Sequence, residues 1–385
     1  MGQIEGRIKI MKRKITIVFV FIALIIKGQE WKIVDETDGQ IFPSAVISMA
    51  HITEDKLKEL MPNDTNDNEI GNTNGWVFLI IKTIEPNSKI KIELNKTNFF
   101  DQSVIEFILP KSNYEYNVYP EVIWDYEKLL NINQPTSANF TIKITINGKE
   151  LGQKNRIMSI RSINECLYGQ IDPETNKFID LSYLFAAYVN ENNPLIDEIL
   201  KEALDTKIIN SFNGYQDDNT NVNSQIFSIW YVLQKRGFKY SSITKTSQTS
   251  KLVYSQRVRA FENSLYTSQA NCVDGTVLFA SILRAIGIEP ILIMVPGHMF
   301  LGYYIDKEHT TYSCLETTMM GHVNLEDYPT LESQLNISRQ SFDEAEDLAL
   351  KRVQEDLTKF YDDNQDYKMI EISDSLRLLI QPIGK

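Results

Sequence analysis

Three side chains in the second half of this 385-residue sequence have the types and order of a thiol enzyme: Cys272, His298 and Glu316. A cysteine attacks as the thiolate, an imidazole carries the proton, and a carboxylate keeps the imidazole basic and in one tautomer. Asn271 can cap a helix from Cys272 to Ile286, with Val273, Val277, Ala280 and Leu283 on one stripe and Gly287 then Pro290 ending it. Cys272 then takes the first helical position, where unpaired backbone N–H groups and the positive end of the helix dipole favour thiolate over thiol. The same amides can stabilise an oxyanion once the sulfur has attacked a carbonyl.

The other two groups must be placed by strands. Ile291 to Val295 is a continuous apolar run, hence a buried strand, and Pro296-Gly297 turns the chain. His298 opens a second strand, HMFLGYYI, and Asp306 to His309 forms a polar turn into a third, TTYSCLE. A symmetric hairpin centred on Lys307 sets Glu316 directly across from His298, on one face, with Cβ atoms about 5 Å apart. Asp306 and Glu308 compete for the acid's role. Contact between Cys272 and His298 does not follow from spacing and needs the fold.

Each of these residues also has a plainer reading. A buried Cys at a helix start packs as a small hydrophobe, His298 could be a satisfied core histidine, and Glu316 a solvated acid at a strand end. Their joint presence in this order favours the thiol reading. Asp274 stabilises the helix's first turn, and Arg257 and Arg259 are surface charges able to meet a substrate carboxylate. Cys314 shares a face with Glu316 and reads as structural, and a Cys166–Cys314 disulfide is open to the chain. His51, His309 and His322 carry no pattern, and no CxxC or HExxH spacing suggests a metal.

The segment NCVDGTVLFASILRAIGIEP, followed by GHMFLGYY and LETT, resembles the transglutaminase-like superfamily: Cys at a helix start, LRAxGI ending that helix, Gly-His on the next strand, and an acid followed by Thr on the one after. The lead-in QRVRAFENSL is similar to that of bacterial members. The likeness covers roughly residues 222 to 322. It implies Cys272 as nucleophile, His298 as general base then acid, Glu316 as orienting carboxylate, no cofactor, and a papain-like α+β core. Two positions depart from the pattern: Ala270 stands where many relatives have Gly, and Glu316 where they have Asp, which implies tuned or weaker activity. The family's oxyanion side chain has no clear counterpart; Gln256 and Tyr254 are the candidates.

Around this core, the length suits two or three domains. Short β-rich runs at Gly75 to Ile84, Lys89 to Leu94, Ser103 to Leu109 and Asn139 to Ile146, with Asn147-Gly148 as a turn signal, point to an N-terminal β-sandwich over residues 30–160. A polar loop from Pro62 to Asn74 interrupts it. Residues 161–385 read as helix-rich: a helix starting near Pro194, another from Val222 to Arg236, one opened by an S-x-x-E capping box at Ser341 and Glu344 and running to Tyr361, and a last strand at Met369 to Ile372. The expected fold class is therefore α+β.

Residues 1–29 read as a leader. A basic cluster (Lys12, Arg13, Lys14) precedes an uncharged run from Ile15 to Ile26, too short for a bilayer span of roughly 20 residues and suited to a secretory signal. Ile-Glu-Gly-Arg at positions 4–7 is tag-like and is set aside. Export to the periplasm or beyond is expected, with membrane attachment only through an uncleaved leader. The whole chain carries −12, and removing the leader's net +5 leaves −17. So acidic a body repels nucleic acid and anionic lipid. The expected function is acyl transfer or hydrolysis at an amide of a peptide or protein substrate, with water the favoured acceptor. The alternatives are an amine-accepting crosslinker and a non-catalytic exported binding module.

Overall fold

The computed structural model describes residues 30–60, 67–73, 75–173, 175–216, 222–241, 250–362 and 364–384. The leader therefore lies outside the described residues, as do parts of the expected polar loops at 62–74 and 213–221. Among the described residues no helix is long and apolar enough to cross a membrane. The fold is mixed α+β and divides into two units, Met1–Leu181 with Gln248–Ser255, and Ser182–Ser247 with Gln256–Lys385.

The first unit is built on β1 (Trp31–Asp35), β2 (Gln40–Ile41), β3 (Glu69–Ile70), β4 (Val77–Lys82), β5 (Ser88–Leu94), β6 (Ser103–Leu109), β7 (Glu115–Val118), β8 (Thr136–Ile146) and β9 (Lys149–Ile160). They form a four-stranded sheet ordered β1-β4-β7-β3 and a five-stranded sheet ordered β2-β9-β8-β5-β6. On β8 the residues alternate buried and exposed, Phe140, Ile142, Ile144 and Ile146 facing in, as a half-buried strand requires. Asn147 and Gly148 both take positive φ and join Ile146 to Lys149, the two-residue hairpin that an Asn-Gly pair favours.

This unit runs past the junction expected at 160. β10 (Glu165–Ile171) pairs with β11 (Phe178–Asp180) and with β12 (Val253–Arg257), so a stretch expected to begin the helical region is strand. Its alternation is hidden because β10 is buried almost throughout.

In the second unit β13 (Pro290–Val295), β14 (His298–Tyr304), β15 (Tyr312–Leu315) and β16 (Lys368–Glu371) form an antiparallel sheet ordered β15-β14-β13-β16. Helices α1 (Leu195–Asp205), α2 (Val222–Lys235), α3 (Phe261–Thr267), α4 (Cys272–Ala285) and α5 (Leu331–Glu355) complete it. Trp230 of α2 meets Phe279 of α4 at 6.2 Å and Phe342 of α5 at 5.8 Å between ring centroids. Such aromatic pairs add about 0.5–1.5 kcal/mol each beyond area burial and lock three helices together. Ala349 and Val353 of α5 pack with Ile291, Ile293, Phe300 and Cys314 of the sheet.

Helix α5 starts earlier than its expected Ser341. Thr330 caps it, with Ser333 in the reciprocal role that a Glu or Gln usually takes, and Ser341 lies buried a few turns in, bonded to Gln234. The helix ends at Glu355, and Leu357–Tyr361 is a separate short helix.

Candidate active site

Cys272 stands at the first position of α4, and the cap that puts it there is reciprocal. The Asn271 side chain accepts from the Asp274 amide at 2.8 Å while the Asp274 carboxylate accepts from the Asn271 amide at 3.1 Å. Asp274 is fully buried and also accepts from the Arg259 backbone N–H at 2.8 Å, with the Arg259 guanidinium 3.5 Å away. Burial pushes its carboxyl above the usual range against the pull of these donors. Both expectations for this turn, Asn271 as cap and Asp274 as its first-turn anion, match the geometry. Cys272 itself is half-buried, whereas Cys166 and Cys314 are buried; all three are free thiols, so the Cys166–Cys314 disulfide is not formed.

Thr276 ties the nucleophile's turn to the histidine's strand, donating to the Cys272 carbonyl at 2.7 Å and lying 3.4 Å from that of Met299. Cys272 lies near enough to His298 for its charge to act on the imidazole. The imidazole Nε2 lies 2.7 Å from Glu316 Oε2, which leaves Nδ1 as the ring nitrogen for the sulfur. The ring stacks on Phe300 at 6.0 Å. Burial by itself lowers the imidazole pKa, but the interactions with Cys272 and Glu316 outweigh it and raise it to about 9.

Glu316 reaches His298 by a route other than the expected one. The observed register pairs Leu301 with Leu315 and Tyr304 with Tyr312, two residues away from the symmetric hairpin about Lys307. The cause is the turn: Ile305 N–H bonds Thr311 C=O, and the Asp306 carboxylate accepts from the amides of Thr310 and Thr311, closing a longer loop. Asp306 is thereby a turn residue. β15 stops at Leu315, so Glu316 continues the same face one rung off and bridges diagonally to His298.

The carboxylate is 1% exposed and heavily bonded. Oε1 accepts from the Thr318 hydroxyl at 2.6 Å and its amide at 3.2 Å, and Oε2 accepts from Arg352 at 2.6 Å as well as from His298. Burial would raise this carboxyl, but His298, Thr318 and Arg352 together hold it below the usual range. Its backbone is fixed too, the Glu316 N–H donating to Ala345 of α5 at 3.1 Å.

The turn after Glu316, a 3₁₀ segment over Thr317–His322, is pressed in from both sides. A Cβ on Gly275 would sit 2.9 Å from Thr317 Oγ1, and one on Gly321 would sit 2.8 Å from Lys239 Cα. The close approach at Gly321 brings the Lys239–Tyr240 strand alongside, and the Tyr240 phenol, raised first by burial, also feels the charges of Cys272 and Glu316.

Sequence reasoning missed Arg352, which has no local signal because it lies one helix away. Gln256 and Tyr254 are not brought into this bonded group. Gln256 donates to the Arg257 carbonyl at 3.0 Å, and Tyr254 packs edge-on against Phe178 at 5.7 Å in the first unit. Arg259 bonds the Gln269 carbonyl at 3.0 Å, and Arg257 is exposed.

No protein-family model and no curated protein matches this chain. A solved structure from Cytophaga hutchinsonii, described as that of a candidate cysteine protease, is similar over 62% of this chain and 73% of its own. The two share 12% identity and a TM-score of 0.22, too loose a superposition to carry a fold or a chemistry from one chain to the other.

Proposed function

We propose that this protein is an exported thiol enzyme of the transglutaminase-like kind, which cleaves an amide of a peptide or protein through a Cys272 thioester. In this reading the leader directs the chain out of the cytoplasm, the first unit is a β-sandwich and the second a papain-like domain. The observation that carries it is the bracing of His298 by Glu316 at 2.7 Å, on a ring that also feels the charge of Cys272 at the head of α4.

The chemistry runs in two halves. His298 takes the Cys272 proton, and the thiolate sulfur attacks the carbonyl carbon, while first-turn amides of α4 stabilise the developing oxyanion. The C–N bond breaks as the imidazolium gives its proton to the departing amine, leaving a thioester. His298 then takes a proton from water, the hydroxide adds to the thioester, and the acid leaves as sulfur regains its proton. Glu316 stays ionised throughout and orients the ring.

Iodoacetamide at pH 6 tests the reading, because an activated thiol reacts there and an ordinary one does not. Modification mapped to Cys272 and lost in His298→Ala is the expected result. Modification that ignores His298, or turnover of an amide by Cys272→Ala at the wild-type rate, overturns it.

A further inference from the structure

Helix α5 meets the hairpin of His298 through a second carboxylate, Glu346, six residues before Arg352. Its Oε1 accepts from the Tyr303 hydroxyl at 2.5 Å, the Ser313 hydroxyl at 3.1 Å and the Asn223 side-chain amide at 3.2 Å. Tyr303 and Ser313 are buried and Glu346 is half-buried, so each polar group is costly to bury unless its bond is made. Burial pushes the Glu346 carboxyl up, and the bonds from Tyr303 and Ser313 pull against it.

The two hydroxyls come from partners in one rung. Tyr303 of β14 pairs with Ser313 of β15, in the same register that pairs Leu301 with Leu315. In the symmetric hairpin about Lys307, Tyr303 would face Thr311 instead. Ser313 would then lie two residues along the strand, about 7 Å away at roughly 3.4 Å per residue, and one oxygen could not accept from both. The Glu346 carboxylate therefore selects the observed register, because a slip by two residues would leave a buried hydroxyl without its bond.

That register decides where Glu316 lies. Glu316 follows Ser313 by three residues, and Ala345, next to Glu346, accepts the Glu316 backbone N–H at 3.1 Å. Arg352 of the same helix bonds the Glu316 carboxylate. Glu346 thus anchors helix and hairpin together close to the point from which Glu316 reaches diagonally to His298.

We propose that Glu346 is a positioning residue, which pins β14 to β15 in the register that holds Glu316 against His298. Its bearing on catalysis rests on the thiol reading above, whereas its bearing on the imidazole does not.

Proton NMR titration of the His298 ring in the full chain, assigned by its loss in His298→Gln, tests this without turnover. Glu316 helps to raise the imidazole pKa to about 9, so an acid displaced from the ring lowers it. Glu346→Leu should lower the proton affinity of His298 by about tenfold, and Tyr303→Phe, which removes one hydroxyl and keeps the ring, by about threefold. Glu346→Gln keeps an acceptor for both hydroxyls and should stay within about twofold of wild type. None of these changes should move the titration in a Glu316→Gln background. A His298 titration unmoved by Tyr303→Phe overturns the proposal, even where Glu346→Leu does not fold. So does a drop that persists beside Glu316→Gln, or one in Glu346→Gln equal to that in Glu346→Leu. A wild-type Cys272 that ignores iodoacetamide would instead sink the thiol reading and leave the register to be judged on the imidazole.

Discussion

Arg352 and His298 share one oxygen of Glu316, Oε2, at 2.6 and 2.7 Å. The guanidinium thus supports the ionised acid that in turn braces the imidazole, and it also sets a positive charge near the ring. Arg352→Gln should cost about 1–2 kcal/mol of stability, since the arginine is partly exposed and solvent screens the pair. Removing that charge makes the imidazolium easier to keep, so the alkaline limb of activity should move upward. Arg352→Lys should restore the limb. A pH–rate profile of the three proteins reads both effects.

The length of the acid is matched to the register. Because Glu316 bridges diagonally, Glu316→Asp should fail to reach His298 while keeping its charge. A loss of about 10²-fold in kcat with little change in KM is expected, close to that of Glu316→Gln. An Asp variant as active as wild type would mean the hairpin can slip into direct opposition.

The pH dependence follows from His298. Its pKa is raised to about 9 in the folded protein, against an ordinary value near 6.5. Stability from its charged form is complete below about 6.5 and is lost as pH rises through 9, of order 2 kcal/mol. Thermal unfolding followed from pH 6 to pH 10 should show that decline, and His298→Gln should flatten it. Amide cleavage needs the imidazolium to protonate the amine and should fall over the same upper range.

Thiol titration separates the cysteines. The native protein should show one reactive thiol, Cys272, and three after unfolding without reductant, because Cys166 and Cys314 are buried and unpaired. Burial also pushes the Cys314 thiol up to about 12, so it stays unreactive at ordinary pH.

Gly275→Ala should destabilise despite adding a better helix former. The new Cβ would sit 2.9 Å from Thr317 Oγ1, and overpacking of about 1–3 kcal/mol exceeds the gain of about 1 kcal/mol in helix propensity. Thr317→Ala in the same chain should recover part of the loss, as read by denaturant midpoints.

What could be read from residue order was what local chemistry decides. The Asn271 cap, the helix from Cys272, the strands around Pro296-Gly297 and the Asn147-Gly148 hairpin each rest on interactions spanning a few residues. The hairpin register could not be read this way, because it depends on Asp306 gathering two amides, which lengthens the turn. Helix α5 was misplaced because two serine-containing caps compete and Thr330–Ser333 lacks the usual acid. Arg352 reaches the site only through tertiary packing.

The two-residue displacement of the His298 hairpin has a consequence for any chain that shares this layout. Loop length beyond the ribbon and choice of Asp or Glu at its return are then a single coupled variable: a tighter loop calls for the shorter acid, a roomier one for the longer. A chain that altered either alone would lose its brace, so the two should change together or not at all.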